Sequence, residues 1–180
     1  MCIRDSPRPE NYNKEIIYTG NLGIPQNIES FINNLNKSTD QYKLKIYGSG
    51  SRYEEIKKME SENINVNPYT DRSEMLKETK NSTFALVSLS SSLTVEGFPG
   101  KTFDYLKMNK ILIGYSNPSS GLARFIEKYN VGINIDPENP NIDSALKALK
   151  NLDQIYQNIK DVNLKYANLN TVSQQYLSLI

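Results

Sequence analysis

Residues Glu15 to Leu35, EIIYTGNLGIPQNIESFINNL, decide how the rest of the chain is read. A β-rich apolar run, Glu15 to Thr19, breaks at a turn carrying Gly20 and Gly23. From Gln26 to Asn36 the apolar residues Ile28, Phe31, Ile32 and Leu35 then recur at spacings of 3, 1 and 3, which places them on one helical face. The unit is strand, glycine turn, helix. It repeats downstream: short apolar runs at Lys43 to Tyr47, Ile64 to Asn67, Phe84 to Ser88, Ile111 to Gly114 and Gly132 to Ile135 read as five more strands. Helical patterns separate them, at Arg52 to Glu62, Arg72 to Asn81, Lys101 to Lys107, Ser120 to Tyr129 and Asp143 to Leu152. Asp71 and Ser119 or Ser120 supply helix-start signals, the first in a D-x-x-E capping pattern. Strict alternation requires parallel pairing through right-handed crossovers. The expected architecture is α/β, a doubly wound six-stranded parallel sheet with helices on both faces.

The chain has 180 residues, which predicts a single main domain with one sizeable core. Residues 1–13, opening MCIRDSPRPE, share nothing with the periodic pattern and read as a leader foreign to the fold. Residues 14–152 form the expected domain. From 153 to 180 no strand pattern occurs, and two polar amphipathic helices broken near Asn168 to Thr171 read as a C-terminal helical extension. With 21 Lys and Arg against 20 Asp and Glu, the net charge of +1 offers no excess positive field, so nucleic acid is a poor partner. A single Cys and no His leave no Cys/His metal site and no histidine acid–base chemistry. No apolar run reaches the roughly 18 residues that span a bilayer, and no signal-peptide core is present, so a cytoplasmic chain is expected.

In an open sheet ordered 3-2-1-4-5-6, a ligand binds beyond the carboxyl ends of the strands where the order reverses, between strands 1 and 4. Two loops meet there. The first, Gly20-Asn21-Leu22-Gly23, allows close backbone approach but lacks the full G-x-G-x-x-G fingerprint, as does Gly48-Ser49-Gly50 after strand 2. Each is consistent with a plain turn. The second, Glu96-Gly97-Phe98-Pro99-Gly100-Lys101-Thr102-Phe103-Asp104, is more specific. A glycine-rich turn entering a helix offers backbone N–H groups to an anion, and Lys101 adds a charge that the first helical turn disfavours. A bound phosphate would resolve that conflict. Asp104, three residues on and facing roughly the same way, has a carboxylate suited to ribose hydroxyls. A surface ion pair between Lys101 and Asp104 is the alternative.

At these residues the chain resembles the C-terminal, donor-binding half of a GT-B glycosyltransferase of family four, especially the bacterial surface-polysaccharide subgroup. The resemblance rests on YTGNLGIPQNIESF, KLKIYGSGSRYEEIKK, NVNPYTDRSEMLKETKNSTFALVSL and EGFPGKTFDYLKMNKILIGYSNPSSGLARFIEKYNVGINID, in that order. It implies a Rossmann-like domain that binds a nucleotide-diphosphate sugar and transfers its glycosyl group with retention and without a metal or other cofactor. The E-x7-E pair of the family matches Glu96 and Asp104, implied to contact the donor sugar and the ribose. Lys101 is implied to hold the diphosphate with the amides of Gly97, Phe98 and Gly100. Gly20 and Asn21 are implied to pack against it, and Tyr69 and Thr70 to line the base.

Asn21 and Gln26 stand where many members carry basic residues, so Lys101 or Arg52 would carry more of the charge. The acceptor-binding half, for a glycan or lipid-linked saccharide, lies outside this sequence, and a truncated fragment is the expected explanation. Two other readings stay open: a non-enzymatic nucleotide-sugar-binding module or split-transferase subunit, and a nucleotide-sugar 2-epimerase, which the lack of His disfavours.

Overall fold

A computed structural model describes residues 12–94 and 96–166. The six strands are β1 (Glu15–Asn21), β2 (Lys43–Ser49), β3 (Ile64–Pro68), β4 (Phe84–Ser88), β5 (Ile111–Tyr115) and β6 (Gly132–Ile135). They form one parallel, Rossmann-like sheet in the order β3-β2-β1-β4-β5-β6. The helices are α1 (Ile28–Leu35), α2 (Tyr53–Lys57), α3 (Arg72–Asn81), α4 (Lys101–Lys107), α5 (Gly121–Tyr129), α6 (Ile142–Ala148) and α7 (Leu152–Tyr166). Strands β4 and β5 are buried along their whole length, as expected where helices cover both faces. On one face, the Phe31 ring of α1 meets Tyr115 of β5 edge-on at 5.3 Å, and Ser30 and Asn34 bond the Tyr115 hydroxyl.

Local chemistry shifts several element boundaries. Asn27 adopts a left-handed conformation, φ 49°, so α1 starts at Ile28 and not at Gln26, which instead ends a 3-10 turn, Ile24–Gln26. The expected helix from Arg52 to Glu62 shortens to five residues, because Ser61 pairs back with Ile64 at the entry to β3. Asp71 caps α3 by accepting from the Ser73 and Glu74 amides. The reciprocal half of the capping pattern does not form: the Glu74 carboxylate takes the Thr70 hydroxyl instead. Ser120 caps α5 by accepting from the Ala123 amide at 3.1 Å.

The ends of the domain also differ from the expected divisions. Tyr12 and Asn13 belong to the fold: the Asn13 amide nitrogen donates to Thr83 Oγ1 at 2.9 Å, and its side chain donates to the Asn81 carbonyl at 2.8 Å. Residues 1–11 of the expected leader lie outside the described residues. Helix α7 buries Ile155, Tyr156, Ile159 and Val162, and packs against α4, α5 and β5. Asn163 donates to the Leu106 carbonyl at 2.6 Å, closing the end of α4. The first helix of the extension is therefore part of the core, and the second lies outside the described residues.

Candidate functional site

Strand β1 pairs with β2 over seven residues, from Glu15 to Asn21, but with β4 only at Ile16 and Ile17. Beyond Ile17, β1 no longer pairs with β4. The backbone groups that β1 turns toward it are taken up by helix α4. The Thr19 amide donates to the Tyr105 hydroxyl at 2.8 Å, and the Thr19 carbonyl accepts from Lys101 Nζ at 2.8 Å. Lys101 and Tyr105 are four residues apart and so share one helical face.

The Lys101 ammonium lies 3.9 Å from the Tyr18 ring centroid, a cation–π contact that supports its charge. It forms no ion pair among the described residues. Burial without a counter-charge pushes its pKa down to about 8. Gly20, at φ +124°, is the floor beneath it: a Cβ there would stand 3.0 Å from Nζ. The Tyr18 hydroxyl donates to the Asn21 carbonyl at 2.5 Å, and burial holds Tyr105 neutral with its pKa raised to about 12. The site thus presents one unpaired ammonium at the end of the central strand.

Asp104 does not join Lys101. It is exposed and forms no ion pair among the described residues, because α4 turns Thr102, Tyr105 and Leu106 to the core and leaves Asp104 on the solvent side. The expected shared orientation fails for that reason, and so does the alternative surface pair. Gly97 and Gly100 are exposed with open space around them. Phe98 packs its ring on Phe125 at 4.9 Å and Phe103 at 5.7 Å, which anchors the turn to α4 and α5.

Glu96 is exposed and its Oε2 pairs with Arg124 of α5. Arg52 is not free to share the work of Lys101. Its Nε donates to Glu29 at 2.6 Å, and Glu55 lies 3.8 Å from its guanidinium. Glu29 stands in the first turn of α1, so this correction comes from a partner distant in sequence. Asn21 is exposed and its amide donates to Gln26 at 3.1 Å, which also accepts from the Gly23 amide. Tyr69, 59% exposed, and Thr70 follow β3, at the same end of the sheet but separated from β1 by β2.

Several contributors escape a reading of the linear pattern. Tyr18 and Tyr105 form the lysine's surroundings, and the i, i+4 spacing of Lys101 and Tyr105 is the signal that marks them. Gly48 and Gly50, ambiguous as a phosphate turn, serve packing: a Cβ at Gly48 would meet the Gly20 carbonyl at 2.2 Å. Gly121 and Arg124 sit under Glu96, and nothing in the spacing marks them.

An open parallel sheet ordered β3-β2-β1-β4-β5-β6, with a half-buried lysine where the order reverses, defines a doubly wound α/β protein. The family model "Glycosyl transferases group 1" matches residues 3–162, and the chain belongs to that family. No curated protein matches the chain. Among solved structures, the catalytic domain of cholesterol-α-glucosyltransferase from Helicobacter pylori superposes with TM-score 0.62 and 15% identity over 84% of this chain and 99% of that one. HepE from Anabaena, solved with UDP and glucose, gives TM-score 0.68 and 11% identity over 93% of this chain and 48% of that one. AviGT4, a glycosyltransferase involved in avilamycin A biosynthesis, gives 0.67 and 12% over 93% and 51%. These likenesses show the GT-B type of fold, and the chain spans about half the length of the last two proteins.

Proposed function

We propose that this chain is the donor-binding half of a GT-B glycosyltransferase of family four type. It takes a nucleotide-diphosphate sugar in the crevice between β1 and β4. With an acceptor-binding half it transfers the glycosyl group, with retention and without a metal, in polysaccharide or glycoconjugate synthesis on the cytoplasmic side. The observation that carries this reading is Lys101, a half-buried ammonium at the end of the central strand with no carboxylate against it. Departure of a nucleoside diphosphate builds negative charge on the phosphate oxygens, and a preorganised cation in a partly dry crevice stabilises that charge more than water does. Glu96, at the mouth of the same loop, is the group that meets the sugar, and Asp104 the group for the ribose. No helix among the described residues is long and apolar enough to cross a membrane.

Titration calorimetry of the chain with UDP, GDP, ADP, CMP and dTDP tests the reading. At least one nucleoside diphosphate binds, and the absence of any binding at millimolar ligand overturns it. The pH dependence has a fixed sign. Lys101 keeps its proton below its lowered pKa of about 8 and loses it above. Affinity for the diphosphate is therefore nearly level below pH 7, about halved by pH 8, and falls toward tenfold per unit at higher pH. Binding raises the lysine's pKa, so it takes up protons when measured near pH 8.5 in buffers of different ionisation heat. Affinity that stays level from pH 7 to 9.5 removes the lysine from the contact.

A further inference from the structure

The geometry points to Arg124 as a positioning residue that aims the Glu96 carboxylate at the donor sugar, with Gly121 as the seat that brings the two together. This inference rests on the donor-binding reading. Glu96 sits on an exposed loop, its side chain 87% accessible, where a free glutamate would sample many rotamers. Here it does not swing freely. Arg124 Nη2 donates to Glu96 Oε2 while Nη1 donates to the Ser119 carbonyl, so the guanidinium is itself tied to the turn before α5.

The loop backbone is pressed onto the same helix end. A Cβ at Gly121 would stand 1.7 Å from the Glu96 carbonyl oxygen, an approach that only glycine permits. Phe98, two residues on, adds a second anchor by stacking on Phe125 of α5 at 4.9 Å. Three contacts from one helix therefore fix the loop, while Glu96 Oε1 has no partner among the described residues. A carboxylate with one oxygen clamped and the other open is prepared to accept a hydrogen bond from a hydroxyl in a set direction. The guanidinium also cancels the negative charge of Glu96, which would otherwise repel the diphosphate entering a few residues away.

An exposed ion pair of this kind contributes little to folding. Its loss should be read in recognition of the sugar. The readout is the ratio of the dissociation constant for a nucleoside diphosphate to that for the matching nucleotide sugar, because loss of a sugar contact weakens only the nucleotide sugar, whereas loss of the positive charge weakens the more highly charged diphosphate more and shifts the ratio the opposite way. The probes are UDP with UDP-glucose and GDP with GDP-mannose. Arg124→Gln lowers the ratio about threefold to tenfold while leaving the melting temperature unchanged. Arg124→Lys restores part of it.

Gly121→Ala lowers the ratio in the same direction by displacing the Glu96 backbone. In a cycle with Glu96→Gln, the double variant has the ratio of Glu96→Gln alone, since Arg124 acts only through that carboxylate. A wild-type ratio in Arg124→Gln, or independent effects in the double variant, overturns the role of Arg124 and leaves the donor-binding reading standing. Failure of every nucleoside diphosphate to bind the wild-type chain overturns both.

Discussion

Replacing Lys101 by methionine removes most of the affinity for a nucleoside diphosphate and makes the protein more stable at neutral pH. The two effects have one cause. The ammonium sits half-buried against the Tyr18 ring, held by a single carbonyl and faced by no carboxylate. Its lowered pKa records how much the fold opposes that charge. Charge-assisted hydrogen bonds to an anion are worth about 1.5–3 kcal/mol, so the Met variant should bind about ten to a hundred times more weakly.

For stability the sign follows from proton counting. Below pH 8 the lysine is charged both folded and unfolded, and the folded protein bears the full desolvation cost. As pH rises from about 8 toward 10.5, the folded state loses the proton first, and wild-type stability climbs. The advantage of Met is therefore largest below pH 8, about 1–2 kcal/mol after allowance for partial exposure, and shrinks above it. Differential scanning calorimetry at pH 7 and pH 9.5 measures both points. A destabilised Met variant at pH 7, or unchanged affinity, would show that the ammonium serves the fold and not a ligand.

Gly48→Ala should be strongly damaging to the loop that leaves β1. A Cβ there meets the Gly20 carbonyl at 2.2 Å and the Leu22 side chain at 2.9 Å, both on the loop leaving β1. Leu22 is fully buried and the Gly20 carbonyl is backbone, so neither can move without displacing the loop. Overpacking of this kind costs about 2–3 kcal/mol. In a domain of this size that corresponds to a fall of about 5–10 °C in melting temperature. Because Gly20 is the floor beneath Lys101, diphosphate affinity falls with it. Gly97→Ala is the matched control for stability: nothing lies within 4 Å of a Cβ there, and the melting temperature does not change. Equal melting temperatures for the two variants would mean the β1 loop is looser than its contacts indicate.

The strand order was legible because it follows from local periodicity and from the handedness of crossovers. Alternation of apolar runs with helical patterns allows few topologies, and β3-β2-β1-β4-β5-β6 is the expected one. What escaped was pairing across space. Arg52 reads as a free cation until α1 brings Glu29 to 2.6 Å from it. Asp104 reads as a neighbour of Lys101 until burial of Tyr105 and Leu106 decides how α4 rolls against the sheet. The helix starting at Arg52 reads as three turns until a return bridge at Ser61 ends it early. The Glu96 clamp depends on Arg124, 28 residues away, and on an approach to Gly121 that no spacing rule encodes.

The setting of Lys101 also makes it the most readily deprotonated accessible lysine among the described residues. At pH 8 about half of its molecules carry a free lone pair, whereas a lysine of ordinary basicity is almost wholly protonated. Lys110 shares the lowered value, pushed down to about 8 by burial, but it is only 3% exposed and its nitrogen is occupied by the Lys80 and Ser82 carbonyls. A small acylating reagent used at mild pH thus marks Lys101 ahead of the other described lysines. A ligand seated on the ammonium protects it, so peptide mass mapping with and without nucleotide would footprint occupancy directly, independent of any turnover.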